Sequence, residues 1–262
     1  MGTAMLRPPP HPRKCWRTFW GPRESHPYLL RYGRSLRPCL APPIIRLATG
    51  DHSEVSSKPN QYARQAEEWT DRAYADAAAY LSHRADLVVT LGPLLEPGDE
   101  VLDLACGDGG LGELLLARGL RYRGVDSTPE MVAEGSRRLG VRAAIETGDL
   151  NEYVPPGPVA ATTVFRAVYY ARDRQSFFRH VAGFTQKKLV FDLNPRQYRV
   201  EDVLADLRAA GLGRVALRPF FVPQTVALPG PFVAVAQALE RSGPLARLAL
   251  RIRFTYLVAA SR

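Results

Sequence analysis

Cysteine is scarce in this chain: Cys15, Cys39 and Cys106 are all that 262 residues contain. Their spacing forms neither a zinc ligand set nor a disulfide framework, so no metal is expected and a reducing, cytoplasmic setting is the simplest expectation. Long hydrophobic runs are missing as well. No apolar stretch reaches the ~20 residues that a membrane-spanning helix needs, and no signal-peptide hydrophobic region follows the basic amino-terminal stretch.

Charge of one sign is in excess only locally. The net charge is +9, but residues 1–57 hold nine Arg or Lys against three Asp or Glu, which leaves +3 for residues 58–262. The basic balance thus belongs mostly to one end of the chain. The remainder shows no pronounced basic face for a phosphate backbone, and no nucleic-acid partner is expected.

That basic end also lacks a sustained hydrophobic period. Residues 1–56 carry Pro8-Pro9-Pro10, Pro12, Pro22, Pro27, Pro38 and Pro42-Pro43 among scattered Trp and Arg, a composition that does not build a core by itself. Three readings compete: a disordered arm, an Arg-rich and acid-poor organelle-targeting segment, or translated upstream sequence before a later start at Val55. The last is preferred, with the folded domain running from 57 to 262.

From Gln61 to about Leu95 the pattern is helical. Tyr62, Ala66, Trp69, Ala73, Tyr74 and Ala77 recur at helical spacings, Leu87, Val88, Leu91, Leu94 and Leu95 follow, and Gly92-Pro93 and Pro97-Gly98 punctuate the end.

The most informative run comes next. Val101 to Ala105 is an apolar strand that breaks into Cys106-Gly107-Asp108-Gly109-Gly110-Leu111-Gly112, and Glu113 to Arg118 reads as a helix stopped by Gly119. Gly107, Gly109 and Gly112 satisfy G-x-G-x-x-G, which alone does not choose between a dinucleotide and another adenosine ligand. The acids around it narrow the choice. Asp103 precedes the first glycine by four residues, and Tyr122 to Asp126 is a short strand ending on an acid. Thr128 then stands as N-cap with Pro129 at the first helical position. A third strand over 141–147 ends on Gly148-Asp149. A parallel α/β sheet binds ligands beyond the carboxyl ends of its strands, so Asp103, Asp126 and Asp149 fall along one crevice.

With D-x-x-C-G-x-G-x-x-G, then V-D-S-x-x-M, then G-D-L in that order, the chain resembles the class I S-adenosylmethionine-dependent methyltransferases over roughly residues 60–262. The resemblance implies a three-layer αβα Rossmann-like sheet, mostly parallel, with an antiparallel strand in a C-terminal β-hairpin. It implies S-adenosylmethionine as cofactor, with Gly107 and Gly109 bringing backbone against the methionine moiety beside Cys106, and Asp103 holding the amino group. Asp126 would accept both ribose hydroxyls, Ser127 and Met131 would lie on the adenine side, Asp149 would accept from the adenine amino group and Leu150 would pack on the ring. These roles are chemically coherent, because carboxylates accept from diols and amines, and an acidic crevice tolerates a sulfonium cation. A nicotinamide oxidoreductase would instead bring a pyrophosphate to the helix N-terminus, where Asp103 and Asp108 are unfavourable. Cys106 itself reads as a small buried residue beside the turn rather than a nucleophile.

The fourth strand, 159–165, departs from the resembled pattern, with Ala160 near its start and Arg166 at its end. Arg166 is the candidate for the methionine carboxylate, because a guanidinium fork matches a carboxylate bidentately; a salt bridge to Asp173 is the alternative. Tyr169 and Tyr170 follow as substrate-side candidates, joined by Tyr62, Trp69 and Tyr74 from a helical lid over 57–97. A helix over 174–182 leads to the fifth strand, 187–193, whose end offers Asn194 to substrate and Asp192 as a weak candidate base. His180 is a second weak candidate, more simply a structural residue of its helix. A further amphipathic helix, Tyr198 to Gly211, precedes strands over 214–222 and 254–260, so 98–222 and 254–262 make the core. Residues 223–253 read as one or two apolar or amphipathic helices roofing the substrate pocket, with contact to a membrane surface as a further possibility.

The sequence therefore points to a methyltransferase for a small or lipophilic acceptor. A noncatalytic adenosine-ligand module and an NAD(P)-dependent oxidoreductase are the alternatives. RNA or protein methylation is disfavoured, since no Asn-Pro-Pro-Tyr or Asp-Pro-Pro-Tyr turn ends the fourth strand.

Overall fold

The computed structural model describes residues 66–249 and 255–262. The expectations placed on residues 1–56 and on Tyr62 lie outside the described residues.

Seven strands form one sheet in the order β3-β2-β1-β4-β5-β7-β6. They are β1 (Glu100–Leu104), β2 (Arg121–Asp126), β3 (Ala144–Thr147), β4 (Val159–Val164), β5 (Thr185–Leu193), β6 (Arg214–Pro219) and β7 (Tyr256–Ser261). β1 to β5 pair in parallel, and β7 runs antiparallel to both β5 and β6. The chain leaves β1 toward β2 on one side and returns to β4 on the other, so the strand order reverses between β1 and β4. A crevice opens at such a switch point.

The period of two along the strands builds two cores. In β1, Val101 packs to one face while Leu102 and Leu104 pack to the other; β5 repeats this with Val190 against Leu189, Phe191 and Leu193. The first face is covered by α2 (Ala77–Thr90) and α3 (Gly110–Leu116), with Leu139 reaching in from the end of α4 (Pro129–Leu139). The second face is covered by α5 (Arg174–Phe184) through Phe177, Phe178 and Val181, and by α6 (Val200–Ala209) through Val203 and Leu207. The result is the three-layer arrangement expected from the sequence.

Several boundaries differ from that reading. The helical stretch before β1 is not continuous: α1 (Trp69–Ala73) ends at Tyr74, whose backbone is extended, and α2 begins after Asp76, whose carboxylate accepts from the Ala79 N–H at 2.9 Å. A side chain that caps a new helix competes with continuing the old one. The gap is also clamped from outside, with Ala75 N–H donating to the Gln224 carbonyl and Gln224 Nε2 donating to the Ala73 carbonyl. The helix after the glycine turn begins at Gly110, earlier than read, and β6 stops at Pro219 rather than Val222. The 223–253 segment supplies α7 (Gly230–Arg241) and α8 (Gly243–Ala249).

Lys188 shows how tightly the layers are bound. It is fully buried in β5, its Nζ donates to the carbonyls of Val89 in the last turn of α2 and of Leu91 just after it, and burial pulls its pKa down to about 8.

Glycine spacing in α3 sets how closely that helix meets the sheet. A Cβ on Gly112 would lie 2.5 Å from Tyr122 Cε1 and 2.9 Å from Leu139 Cδ1, whereas one on Gly183 of α5 meets nothing within 4 Å. Gly112→Ala is therefore expected to cost roughly 1–3 kcal/mol by overpacking. Gly183→Ala is expected to add about 0.5–1 kcal/mol from helix propensity. Thermal unfolding of both variants checks the pair, and equal midpoints would contradict the packing described.

Candidate functional site

The turn after β1 is shaped by backbone more than by side chains. Ala105, Gly107 and Gly109 all have positive φ, at 62°, 58° and 74°, a region that costs little only without a Cβ. Cys106 N–H donates to the Val125 carbonyl, and its Sγ packs where a Cβ on Gly124 would come within 2.8 Å. Burial pushes the Cys106 thiol far up, and the charges of Asp103 and Asp126 add to the effect. It is a spacer between β1 and β2, not a thiolate.

Asp126 ends β2 and holds this turn from the side. Its Oδ2 accepts from Gly107 N–H and its Oδ1 from Thr128 N–H, both at 2.9 Å. Burial raises its pKa while those N–H donors oppose the rise. Thr128 is the N-cap of α4 by position, with Pro129 following, but its hydroxyl makes no capping bond.

Asp103 sits deeper, on β1. Thr163 Oγ1 donates to its Oδ1 at 2.6 Å and Tyr122 OH to its Oδ2 at 2.8 Å. Burial nevertheless lifts its pKa from 3.8 to about 6.

Asp149, after β3, is half-exposed and heavily engaged. Its Oδ1 accepts from both the backbone and side-chain N–H of Asn151, and its Oδ2 accepts from Arg172 at 2.5 Å. Burial raises the Asp149 pKa, but the Asn151 bonds and the Arg172 charge outweigh it and hold the group below its usual range.

These elements open onto one cavity of about 680 Å³. Of the candidates read from sequence, Asp103, Cys106, Gly107, Asp126, Ser127, Met131, Asp149 and Arg166 line it, as do Trp69, Tyr74, Tyr169 and Tyr170. Five others do not. Gly109 turns away as the left-handed N-cap of α3, its Cα side facing Leu139. Leu150 is buried in the second core. Asn194 organises its own turn, accepting from Arg196 N–H at 3.0 Å.

Asp192 stands behind the wall, where its Oδ1 accepts from Arg166 N–H at 2.8 Å and its Oδ2 lies 3.7 Å from Arg84 Nη2. His180 lies on α5, its Nε2 2.9 Å from the Tyr153 carbonyl and its ring edge-on to Phe184. Neither candidate base reaches the cavity. No described residue of the 223–253 segment lines it either.

The wall divides by charge. Carboxylates lie over β1 to β3, and beyond β4 lies Arg166, whose φ of 55° bends the chain into the opening. Its guanidinium lies 5.3 Å from the Trp69 ring and 5.8 Å from Tyr74, and its Nη1 is buried with no hydrogen-bond partner. The alternative bridge to Asp173 does not form; that carboxylate caps α5 by accepting from Ser176 N–H at 2.7 Å.

Three groups escaped the sequence reading. Asp108 is buried and accepts from Thr70 N–H at 3.1 Å, Thr70 Oγ1 at 2.7 Å, Gly110 N–H at 3.3 Å and Arg138 Nη2 at 2.9 Å, tying α1 to the glycine turn and to α4. Thr70 is the second. The third is Arg84, fully buried in the wall, with its guanidinium 4.3 Å from the Phe165 ring and 4.8 Å from Tyr80, its Nη2 on Tyr80 OH at 2.8 Å and its Nε unpaired. A signal existed for Arg84, which falls four residues after Tyr80 and four before Val88, inside the apolar stripe of α2. Among the described residues no cluster of three or more His, Cys, Asp or Glu could hold a metal, and no helix is long and apolar enough to cross a membrane.

Seven strands in this order, with a left-handed glycine turn and strand-end acids at the switch point, define a class I methyltransferase fold. Comparison with known proteins agrees. Residues 101–188 match the family model described as a methyltransferase domain. Over 90 residues the chain is 36% identical to an uncharacterized methyltransferase of Schizosaccharomyces pombe, covering 34% of this chain and 30% of that protein, so less than a third of that relative is spanned.

Among solved structures, a chain from the complex of the Haloferax volcanii Trm112 methyltransferase activator with a methyltransferase is similar at TM-score 0.54 and 19% identity. That match covers 77% of this chain and 97% of the other. A TehB-like SAM-dependent methyltransferase from Corynebacterium glutamicum is similar at TM-score 0.52 and 14% identity, over 78% and 99%. At these identities the likeness is one of fold.

The raised pKa of Asp103 gives a prediction with a definite sign. As pH rises the unfolded chain ionises near 3.8 and the folded chain only near 6, so between those values folding binds a proton and stability falls with pH. The cost is fully present above pH 6 and absent below 3.8; it amounts to roughly 3 kcal/mol at most. Asp103→Asn is expected to raise the thermal midpoint at pH 7.5 and to flatten its dependence between pH 4 and 6. Melting curves across that range check it, and a lowered midpoint at pH 7.5 would show that Asp103 is held by more than its hydrogen bonds.

Proposed function

We propose that this protein is an S-adenosylmethionine-dependent methyltransferase acting on a small or lipophilic acceptor by in-line displacement. The observation that carries the reading is the meeting of Asp103, Asp126 and Asp149 with the positive-φ Gly107 in one cavity wall at the β1/β4 switch point.

The residues present fit the cofactor by the chemistry of their acceptors and charges. A carboxylate oxygen offers two acceptor sites. Each oxygen of Asp103 spends one on a hydroxyl, which leaves it able to accept from an ammonium, while Asp126, held by the N–H groups of Gly107, Ser127 and Thr128 and by the Thr128 hydroxyl, lines the cavity as the charged acceptor for a diol. Asp149 Oδ2 keeps one site beside Arg172 for an adenine amino group. Ser127 and Met131 form the adjoining wall. Arg166, with its unpaired Nη1, is the group to hold a carboxylate. A pyrophosphate would instead meet Asp103, Asp108 and Asp126 together, which disfavours the dinucleotide alternative.

When bound, S-adenosylmethionine supplies an electrophilic methyl carbon on a sulfonium leaving group, whose C–S bond breaks as the acceptor's lone pair attacks. This chain's own contribution is alignment and exclusion of water, worth ~7–11 kcal/mol in favourable cases. Trp69, Tyr74 and Phe165 give the opening an aromatic side, with Tyr169 and Tyr170 tilted on each other at 4.4 Å nearby, and this lining supports an apolar acceptor. With Asp192 and His180 outside the wall, we assign no general base. An amine or a stabilised carbanion needs none.

Titration calorimetry of the full chain with S-adenosylmethionine, its demethylated product and NADH tests the reading. Micromolar binding of the first two and none of NADH is expected; binding of NADH alone would overturn it. Asp126→Asn keeps an oxygen for the turn but loses the charged acceptor. It is expected to weaken cofactor binding about 10- to 100-fold, or roughly 1.5–3 kcal/mol, and to lower the thermal midpoint, because one of the Gly107 and Thr128 N–H groups then faces an amide NH2, with the protein still folded at the titration temperature. Unaltered affinity would remove Asp126 from the ribose role.

A further inference from the structure

We propose that the α7–α8 surface is an interfacial face that seats this protein on an anionic lipid surface. The proposal stands apart from methyl transfer and rests on a helix that buries a carboxylate and presents a row of apolar side chains.

α7 contains twelve residues, and its single buried one is charged. Glu240 is 1% exposed: its Oε2 lies 2.5 Å from His83 Nε2 on α2, and its Oε1 accepts from Phe221 N–H at 2.6 Å. Val233 packs against the first core, but Phe232, Val235 and Leu239 of the same helix point out, 61%, 55% and 40% exposed. These recur at i, i+3 and i+7, so they share one face. Leu245 and Leu248 on α8 and Val226 before α7 are each more than half exposed as well. A soluble helix ordinarily buries its apolar stripe and hydrates its acids. Here the carboxylate anchors the helix and the apolar stripe is presented.

Charge identifies the occupant. From Phe221 to Arg262 the sequence contains one acidic residue, Glu240, and arginines at 241, 247, 251, 253 and 262. Glu240 is buried on His83, so the one acid of this stretch is withdrawn from solvent, while Arg241 at the end of α7 is exposed; Arg262 donates to the Ala182 carbonyl on α5 and lies apart from this face. Apolar side chains beside Arg match the boundary of a bilayer with anionic headgroups. A second copy fits less well, because two such faces would bring like charges together.

The test uses the full chain with vesicles of phosphatidylcholine alone and of phosphatidylcholine containing about a third phosphatidylserine. The wild-type protein is expected to sediment with the anionic vesicles and to be released by salt. The variant Phe232→Ser/Leu239→Ser/Leu248→Ser is expected to lose about tenfold or more in partitioning, with its thermal midpoint unchanged. Several results would overturn the proposal. One is failure of the wild type to sediment; another is equal sedimentation of the variant, which would move binding to the basic residues 1–57. A wild-type dimer that the variant dissolves would make the face a self-association surface. A clear fall in the variant's midpoint would mean that another part of this chain covers it.

Discussion

The site depends on one buried carboxylate. Asp108 takes donors from three separate pieces of chain, namely Thr70 on the short helix before the sheet, Gly110 in the glycine turn and Arg138 on the helix after β2. Buried charges persist where enough donors compensate the loss of water, and here the compensation forces those three segments together. Trp69 is thereby held over Gly107, within 3.2 Å of where a Cβ would stand, and Arg166 stacks on Trp69 in turn. The aromatic side of the cavity, the turn beneath it and the cation across from it share this anchor.

Much of the fold was legible because the strands announce themselves. Apolar runs ending on Asp103, Asp126 and Asp149 mark both the strand and its functional end, while the antiparallel pairing of the strands read at 214–222 and 254–260 was implied by the family resemblance alone. Residues whose role comes from tertiary partners were harder to read. Asp108 sits inside a motif read for its glycines, and only the fold brings Thr70 and Arg138 to it. Asp192 and His180 have the right chemistry and ends of elements near the right place. Yet the Arg166 amide and the Tyr153 carbonyl claim them, and no local pattern reveals a backbone partner.

The described residues of 223–253 do not line the cavity, for a physical reason of the same kind. Apolar residues at helical spacing state that a helix has a greasy side, not which way that side faces. Direction was set by Glu240, which finds His83 and the Phe221 amide, and by Gln224, which bridges the break between α1 and α2. Two polar groups thus orient a mostly apolar segment, since an unpaired buried donor or acceptor costs more than exposure of an aliphatic side chain.

The placing of β7 between β5 and β6 bears on the chain's history as well as its shape. β6 touches the sheet only through β7, so it has no docking site until the whole segment between them has been traversed, and the edge closes after the parallel strands. Closure entropy grows only logarithmically with the intervening length, by about 0.6 kcal/mol for each doubling. This connection is therefore the place where residues can accumulate at little cost to the sheet. The two outward-facing helices occupy the part of the architecture that can change while the cavity stays fixed.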